Sequence, residues 1–222
     1  MSPVDRLRAD ELRAEVGATV IGREIVVLER TISTNDLVLQ MARADRPEGS
    51  VVFAEHQTAG RGQRGNLWES AAGQGLWFSV LLRPKIDIKD SAQITAWATD
   101  IIAATIHNEL SLRATVKSPN DVYIEGRKVA GVLVDMRAQA KAVHIAILGI
   151  GVNVNQSPCD FSEELRERAV SLAMLRGGPL DRHLFAVALL RNLDRTYAET
   201  FPLIGEPSGP RPDVKLGAKA AY

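Results

Sequence analysis

A glycine-rich segment with two arginines is the first part of this sequence whose residue types could do chemistry. It reads Gly60-Arg61-Gly62-Gln63-Arg64-Gly65. Guanidinium groups bind phosphate oxygens in a fork and keep their charge, and glycines let a backbone approach a ligand closely. The segment therefore indicates a loop that closes over the phosphates of a nucleotide. A solvated surface turn is the alternative, since most loops only connect elements at the surface.

The same glycines match G-x-G-x-x-G, the fingerprint of dinucleotide-binding folds. In those folds a strand runs directly into the glycines and a helix follows them. Here four residues separate the predicted strand from Gly60, and residues 66–73 lack the apolar stripe of a helix. The spacing therefore gives little support to a dinucleotide site.

A lysine at the end of a predicted strand begins a second polar segment, Lys117-Ser118-Pro119-Asn120-Asp121. Pro119 favours an extended conformation at Ser118, and Asn120 and Asp121 suit a turn or could ligate a metal-bound phosphate. Lysine offers a compact charge that can bind a carboxylate and a phosphate together. The alternative is a surface lysine before an ordinary turn. The sequence does not identify metal ligands.

Apolar patterns predict the elements that must position these segments. Predicted strands cover 24–29, 49–55, 75–82, 113–116, 122–124, 128–136 and 143–150. Predicted helices cover 5–16, 90–110, 162–175 and 180–200, with another that begins at the capping sequence Ser33-Thr34-Asn35-Asp36. Residues 56–75 hold five glycines and form a long loop, and such loops are often functional. A strand-rich middle flanked by helices predicts an α+β fold with one mixed sheet.

The composition is that of an ordinary globular enzyme, and it argues against nucleic acid and membranes as partners. Over 222 residues, 27 Lys and Arg balance 27 Asp and Glu, so a large basic surface for nucleic acid is not expected. The single cysteine, Cys159, excludes an internal disulfide and fits a reducing cytoplasm. Neither a signal peptide nor an apolar stretch of membrane-spanning length is visible. We expect a cytoplasmic protein with no membrane and no DNA partner.

Taken together, the motifs resemble the catalytic domain of the biotin protein ligases. Five matches follow the family order from about residue 24 to residue 156: Ser33-Thr34-Asn35, then Glu55 to Gly62 with Trp68 downstream, Lys117-x-Pro119-Asn120-Asp121, Lys128 to Val134, and Gly149 to Asn155. One such motif would be weak, but five in order are highly specific. The resemblance implies an α+β sandwich with a mixed, largely antiparallel sheet flanked by helices, related to lipoate ligases and class II aminoacyl-tRNA synthetases.

The resemblance also implies a reaction in two steps. The carboxylate of biotin attacks the α-phosphate of Mg²⁺–ATP and pyrophosphate leaves, giving biotinyl-AMP. A lysine amine of a biotin carboxyl carrier protein, of the acetyl-CoA carboxylase type, then takes the biotin. No protein nucleophile is needed, because the difficulty is to bring two anions together. Positioning and neutralisation by Arg61, Lys117 and Mg²⁺ would carry the catalysis.

The family roles fall on residues of this sequence in three groups. Arg61 and Lys117 would be catalytic, with Lys117 bridging the biotin carboxylate and the α-phosphate. Biotin would contact Ser33, Thr34, Asn35, Gln57, Arg61, Gly62, Gln63, Lys117 and Gly131. ATP would contact Arg61, Arg64, Trp68, Asn120, Lys128 and Asn153.

Three positions depart from the family pattern. Ser118 stands where tryptophan is common, which removes an apolar contact from the pocket wall. Gln63 stands where many members carry arginine, which lowers the positive charge over the adenylate. Asp135 replaces the usual glutamate.

The resemblance implies a small C-terminal β-barrel, but few residues follow Phe201. We therefore expect a catalytic domain over residues 1–204, a tail over 205–222, and no helix-turn-helix domain before residue 24.

Two other functions stay open. One is a lipoate or octanoyl ligase or transferase on the same fold, but its Arg-Arg-x-x-Gly-Gly-Gly motif is absent from this sequence. The other is a non-catalytic biotin- or nucleotide-binding module, degenerate at Ser118 and Gln63. Retention of Arg61 and Lys117 favours the enzyme. The sequence leaves the individual carrier protein and the oligomeric state open, a homodimer included.

Overall fold

A computed structural model describes residues 6–138 and 144–201 of the chain. The strands are β1 Ile25–Leu28, β2 Val51–Ala54, β3 Gly60–Arg61, β4 Leu67–Trp68, β5 Gly75–Leu82, β6 Thr115–Lys117, β7 Asp121–Ile124, β8 Arg127–Arg137 and β9 Ile145–Asn153. The helices are α1 Ala9–Val16, α2 Thr34–Arg43, α3 Ala92–Leu110, α4 Leu172–Arg176 and α5 Arg182–Thr200. The predicted tail over 205–222 lies outside the described residues.

Seven strands form one sheet in the order β1-β2-β5-β9-β8-β7-β6. Only β1 and β2 pair in parallel, and every other neighbouring pair is antiparallel. A separate two-stranded ribbon joins β3 to β4 within the long glycine-rich segment. The predicted α+β fold with a mixed, largely antiparallel sheet is confirmed.

Alternation of side chains along the central strands gives the sheet two apolar faces. On β9, Ala146 and Leu148 belong to the main core with α1, α3 and α5, while Ile145 and Ile147 pack towards α2. Both faces of the central strands are therefore covered, which explains why β5 is buried along its whole length. Within β5, Ser79 is the one polar side chain, and it faces the α2 side.

Residues 162–175 do not form the single predicted helix. Ala169 makes a parallel bridge to Lys128, and the amide of Val170 donates to the Lys128 carbonyl over 2.9 Å. This pairing with β8 holds the chain extended, so that α4 begins only at Leu172, where the Ser171 hydroxyl caps the Met174 amide. Tertiary pairing thus overrides a helical apolar pattern.

None of the helices in the described ranges is long and apolar enough to cross a membrane.

Candidate active site

Three glycines on β8 and β9 form a floor of bare backbone on the α2 side of the sheet. Gly131 and Gly151 are directly paired across the two strands, and Gly149 lies two residues before Gly151. A Cβ atom at Gly149 would lie 2.3 Å from Asn35 Oδ1, and one at Gly151 would lie 2.5 Å from the Trp68 ring. The glycines are therefore needed so that Asn35 and Trp68 can lie against the sheet.

A narrow cavity lies above this floor, with a volume of about 40 Å³. The structure brings ten of the residues predicted for the site into its lining: Thr34, Asn35, Gln57, Arg61, Gly62, Gln63, Trp68, Asn120, Lys128 and Gly131.

The polar lining residues Thr34, Asn35 and Gln57 are joined by hydrogen bonds to Ser70 and Ser79, which do not line the cavity themselves. Gln57 Oε1 accepts from the Thr34 amide over 2.9 Å, and Gln57 Nε2 donates to Ser70 Oγ over 3.2 Å. The Thr34 and Ser79 hydroxyls lie 2.7 Å apart, and Ser79 Oγ lies 2.6 Å from Asn35 Oδ1. Sequence reasoning missed Ser70 and Ser79. The lone hydroxyl in the apolar run of β5 was the available signal for Ser79.

Ser33 is the N-cap residue of α2 but its hydroxyl makes no capping hydrogen bond, and the residue is 1% exposed. Its hydroxyl has no hydrogen-bond partner within the described ranges, and it does not line the narrow cavity. A buried polar group without a partner is rare, so Ser33 is a candidate contact for a polar ligand that reaches the start of α2.

A second, larger cavity of about 670 Å³ adjoins the first. Trp68 and Lys128 line both, so these two side chains separate them. The predicted ATP residue Asn153 lines the larger cavity only. Its amide nitrogen donates to the Val170 carbonyl over 3.2 Å, which fixes the side chain in that wall.

The two lysines of the site motifs have different positions. Lys128 Nζ lies 2.7 Å from Asp121 Oδ1 and 5.1 Å from the centroid of the Trp68 ring, between the cavities. Lys117 lies on the outermost strand β6, exposed, with Nζ 4.9 Å from the centroid of the Tyr123 ring. Lys117 lines neither of the two cavities. The lysine that the structure places at the centre is therefore Lys128.

The arginines lie on the ribbon and the turn that joins its strands. Arg61 Nη1 lies 2.7 Å from Asp36 Oδ1, and both side chains are close to half exposed. Such a pair contributes little to stability, so an anionic ligand can draw Arg61 away from it. Arg64 is exposed, with a positive φ of 57°, and lines neither cavity. Its predicted contact with ATP would need the turn to move.

The chain is similar to several known proteins. The biotin/lipoate A/B protein ligase family matches residues 27–153. The biotin–[acetyl-CoA-carboxylase] ligase of Mycobacterium tuberculosis is 35% identical over 209 residues, covering 87% of this chain and 73% of that protein. The bifunctional ligase/repressor BirA of Bacillus subtilis is 36% identical over 194 residues, covering 87% of this chain. The chain spans 60% of the length of that relative.

Among solved structures, the biotin protein ligase from Aquifex aeolicus in complex with biotin and ATP is similar. The TM-score is 0.66 at 28% sequence identity, covering 80% of this chain and 72% of that one. The chain therefore belongs to the biotin/lipoate A/B protein ligase family, and the predicted resemblance is confirmed.

Proposed function

We propose that this chain is a biotin protein ligase, which makes biotinyl-AMP from biotin and ATP and passes the biotin to a lysine of a carboxyl carrier protein. The observation that carries the proposal is the position of Lys128 between a polar cavity and a larger one. A carboxylate from the first and a phosphate from the second can meet there. The names of the relatives and the biotin and ATP bound by the Aquifex enzyme support this reading.

The polar wall around Gln57 and Asn35 suits the ring end of biotin, which leaves its carboxylate near Lys128. That carboxylate oxygen attacks the α-phosphorus, and the bond to the pyrophosphate leaving group breaks. Lys128 can leave Asp121 to neutralise the two anions, and Arg61 can leave Asp36 to do the same. The amine of the carrier lysine then attacks the acyl carbon, and AMP leaves. Charge neutralisation and positioning account for the acceleration of both steps, since no covalent protein intermediate forms.

The bridging role predicted for Lys117 is therefore reassigned to Lys128 in this proposal. Lys117 packs against Tyr123 at the edge of the sheet. Lys117 ends β6 and Lys128 lies on β8, on either side of β7. The fold leaves the first exposed and brings the second to the lining of both cavities.

Magnesium enters this scheme as part of the substrate Mg²⁺–ATP. In the described ranges no three His, Cys, Asp or Glu side chains gather as a metal site. The phosphate oxygens would therefore supply most ligands, which fits the preference of Mg²⁺ for phosphate and water. Its role would be to neutralise the phosphates as pyrophosphate departs.

Biotin-dependent exchange of pyrophosphate into ATP tests the proposal on the purified chain. We expect exchange with biotin and Mg²⁺ and none when lipoate replaces biotin, because lipoate lacks the urea ring that the polar side chains of Thr34, Asn35 and Gln57 suit. Equal exchange with lipoate would instead support a lipoate ligase on the same fold. Binding of biotin without exchange would support the non-catalytic module.

The expected partners follow from the same proposal. The carrier would be a biotin carboxyl carrier protein of the acetyl-CoA carboxylase type. With a net charge of zero, specific DNA binding by this chain is not expected.

A further inference from the structure

Lys128 lies where strand β8 exchanges one neighbour for another. From Ala130 onward β8 pairs with β9, whereas at Lys128 its neighbour on that side is the extended segment over 168–170. The Lys128 amide donates to the Arg168 carbonyl over 2.8 Å, and the Lys128 carbonyl accepts from the Val170 amide over 2.9 Å. Both backbone polar groups of Lys128 are therefore held by this segment.

The side chain of Asn153, the last residue of β9, joins the segment to the sheet. Its Nδ2 donates to the Val170 carbonyl over 3.2 Å and lies 3.5 Å from the carbonyl oxygen of Lys128. Because both neighbours of Nδ2 are backbone carbonyls, an amide turned by 180° would place Oδ1 against two acceptors. The orientation of the Asn153 amide is therefore determined, and Oδ1 has to accept its hydrogen bond from another group.

Gln156 supplies the donor for that oxygen. Gln156 Nε2 donates to Asn153 Oδ1 over 3.0 Å, and the Ser171 hydroxyl donates to the Gln156 carbonyl over 2.6 Å. All three residues are at most 4% exposed, so water does not replace these bonds. A buried chain of hydrogen bonds thus runs from Gln156 through Asn153 to the segment that holds Lys128.

Gln156 also carries a buried group that is not compensated. Its Oε1 has no hydrogen-bond partner within residues 6–138 and 144–201, and a buried acceptor without a donor is unfavourable. Methionine has a similar length and would avoid this penalty. The net contribution of Gln156 to stability is therefore small, and what distinguishes it from an apolar residue is the bond to Asn153.

We propose that Gln156 is a positioning residue for Lys128. Through the Asn153 amide it keeps the segment over 168–170 against β8, and this segment fixes the Lys128 backbone at the boundary between the two cavities. A fixed backbone limits the positions that Nζ can reach when it leaves Asp121. The inference rests on the proposed function, in which Lys128 brings the carboxylate and the phosphate together.

The test is a double-mutant cycle between Gln156→Met and Lys128→Ala, with single-turnover formation of biotinyl-AMP measured on the full chain. Gln156→Met removes the Nε2 donor. With Lys128 present it should slow the reaction about tenfold, because small misplacements of a group at the reacting centre are costly. In the Lys128→Ala background it should change the rate less than about twofold, since residues that act through one another are not additive.

Hydrogen exchange tests the link between Gln156 and Lys128 directly. In Gln156→Met the amides of Lys128 and Val170 should exchange about tenfold faster than in the wild-type chain, because local opening of this pairing becomes easier. The amide of Leu148, in the middle of β9, should exchange at the same rate in both. Unchanged exchange at Lys128 and Val170 would overturn the inference.

Asn192→Leu is the matched control, because Asn192 Nδ2 donates to Thr105 Oγ1 over 3.0 Å between α5 and α3, away from the site. It removes a comparable side-chain hydrogen bond and should leave the rate of adenylation unchanged.

Equal slowing by Gln156→Met with and without Lys128, or no slowing in either background, would overturn the inference, since Gln156 would then not act through Lys128. If Gln156→Met fails to fold, Ser171→Ala takes its place in the same cycle, because it removes the hydroxyl bond to the Gln156 carbonyl. Absence of biotinyl-AMP formation by the wild-type chain would instead refute the proposed function, and the inference with it.

Discussion

Arg182 and Glu55 form a buried ion pair, with Arg182 Nη1 2.7 Å from Glu55 Oε2, and the pair holds both ends of the long glycine-rich loop over residues 56–75. Glu55 follows β2, where the loop begins, and Arg182 Nη1 also donates to the carbonyl of Gly75, where the loop ends, over 3.1 Å. The Leu7 amide donates to Glu55 Oε1 over 3.0 Å. Both charged side chains are at most 6% exposed. The first turn of α5 therefore holds in place the two ends of the loop that carries the β3–β4 ribbon.

Removing one partner of this pair should destabilise the fold strongly. In Arg182→Ala the Glu55 carboxylate stays buried without its cation, and we expect a loss of about 3–5 kcal/mol in the free energy of unfolding. Urea denaturation measures it. The double variant Glu55→Gln, Arg182→Met removes both charges and should recover most of the loss. A loss under about 1 kcal/mol in Arg182→Ala would show that water reaches Glu55.

The two lysines of the motifs should differ sharply in their effect on adenylation. Lys128→Ala removes a positive group between the cavities and should slow single-turnover formation of biotinyl-AMP about 100-fold or more, as loss of a preorganised charge-stabilising group does. Lys117→Ala is its control and should change the rate less than about threefold, because an exposed charge acts weakly through water. If Lys117→Ala slowed adenylation more than Lys128→Ala did, the bridging role would belong to Lys117.

Ligands should protect the ribbon against trypsin. Arg61 and Arg64 are exposed and sit in a segment with little buried apolar surface, so local opening is easy. An adenylate between the ribbon and the floor would favour the closed state by differential binding. We expect slower cleavage at Arg61 and Arg64 with biotin and Mg²⁺–ATP than without them. Cleavage at Arg191, on α5, serves as the reference, and equal rates at the ribbon in both states would reject closure.

A methyl group on the glycine floor should disrupt the site without harming the fold elsewhere. Gly151→Ala would place Cβ 2.5 Å from the Trp68 ring, which must then move. We expect the dissociation constants for biotin and ATP to rise about tenfold or more, since displacing a packed ring costs on the order of 1–3 kcal/mol. Gly178→Ala is the control, because a Cβ there meets nothing within 4 Å. Unchanged affinities in Gly151→Ala would mean that Trp68 moves freely.

The central strands could be predicted from the sequence because burial on both faces gives long apolar runs, as in β5 and β9. The extended pairing of Ala169 and Val170 could not, since it depends on β8, which is some forty residues earlier in the chain. The choice between Lys117 and Lys128 also needed the fold. A shift of register between Val122 and Tyr123 changes which side chains of the hairpin share a face. Local patterns do not reveal such a shift.

The polar residues around the narrow cavity could likewise be predicted only in part from the sequence. Thr34, Asn35 and Gln57 were found through their motifs, but Ser70 and Ser79 belong to no motif. Ser79 meets its partners across 44 and 45 positions of sequence. Only the approach of α2 to β5 brings its hydroxyl into contact with the lining residues Thr34 and Asn35.

The glycine floor has a consequence for redesign. At Gly131, Gly149 and Gly151 every possible substitution adds atoms, so mutation can make the pocket shallower there but never deeper. A variant that accepts a bulkier ring must gain its room elsewhere, by trimming Trp68 above or the α2 side chains at the rim. Directed evolution towards larger ligands should therefore accumulate changes in the ribbon and α2 and leave these three positions untouched.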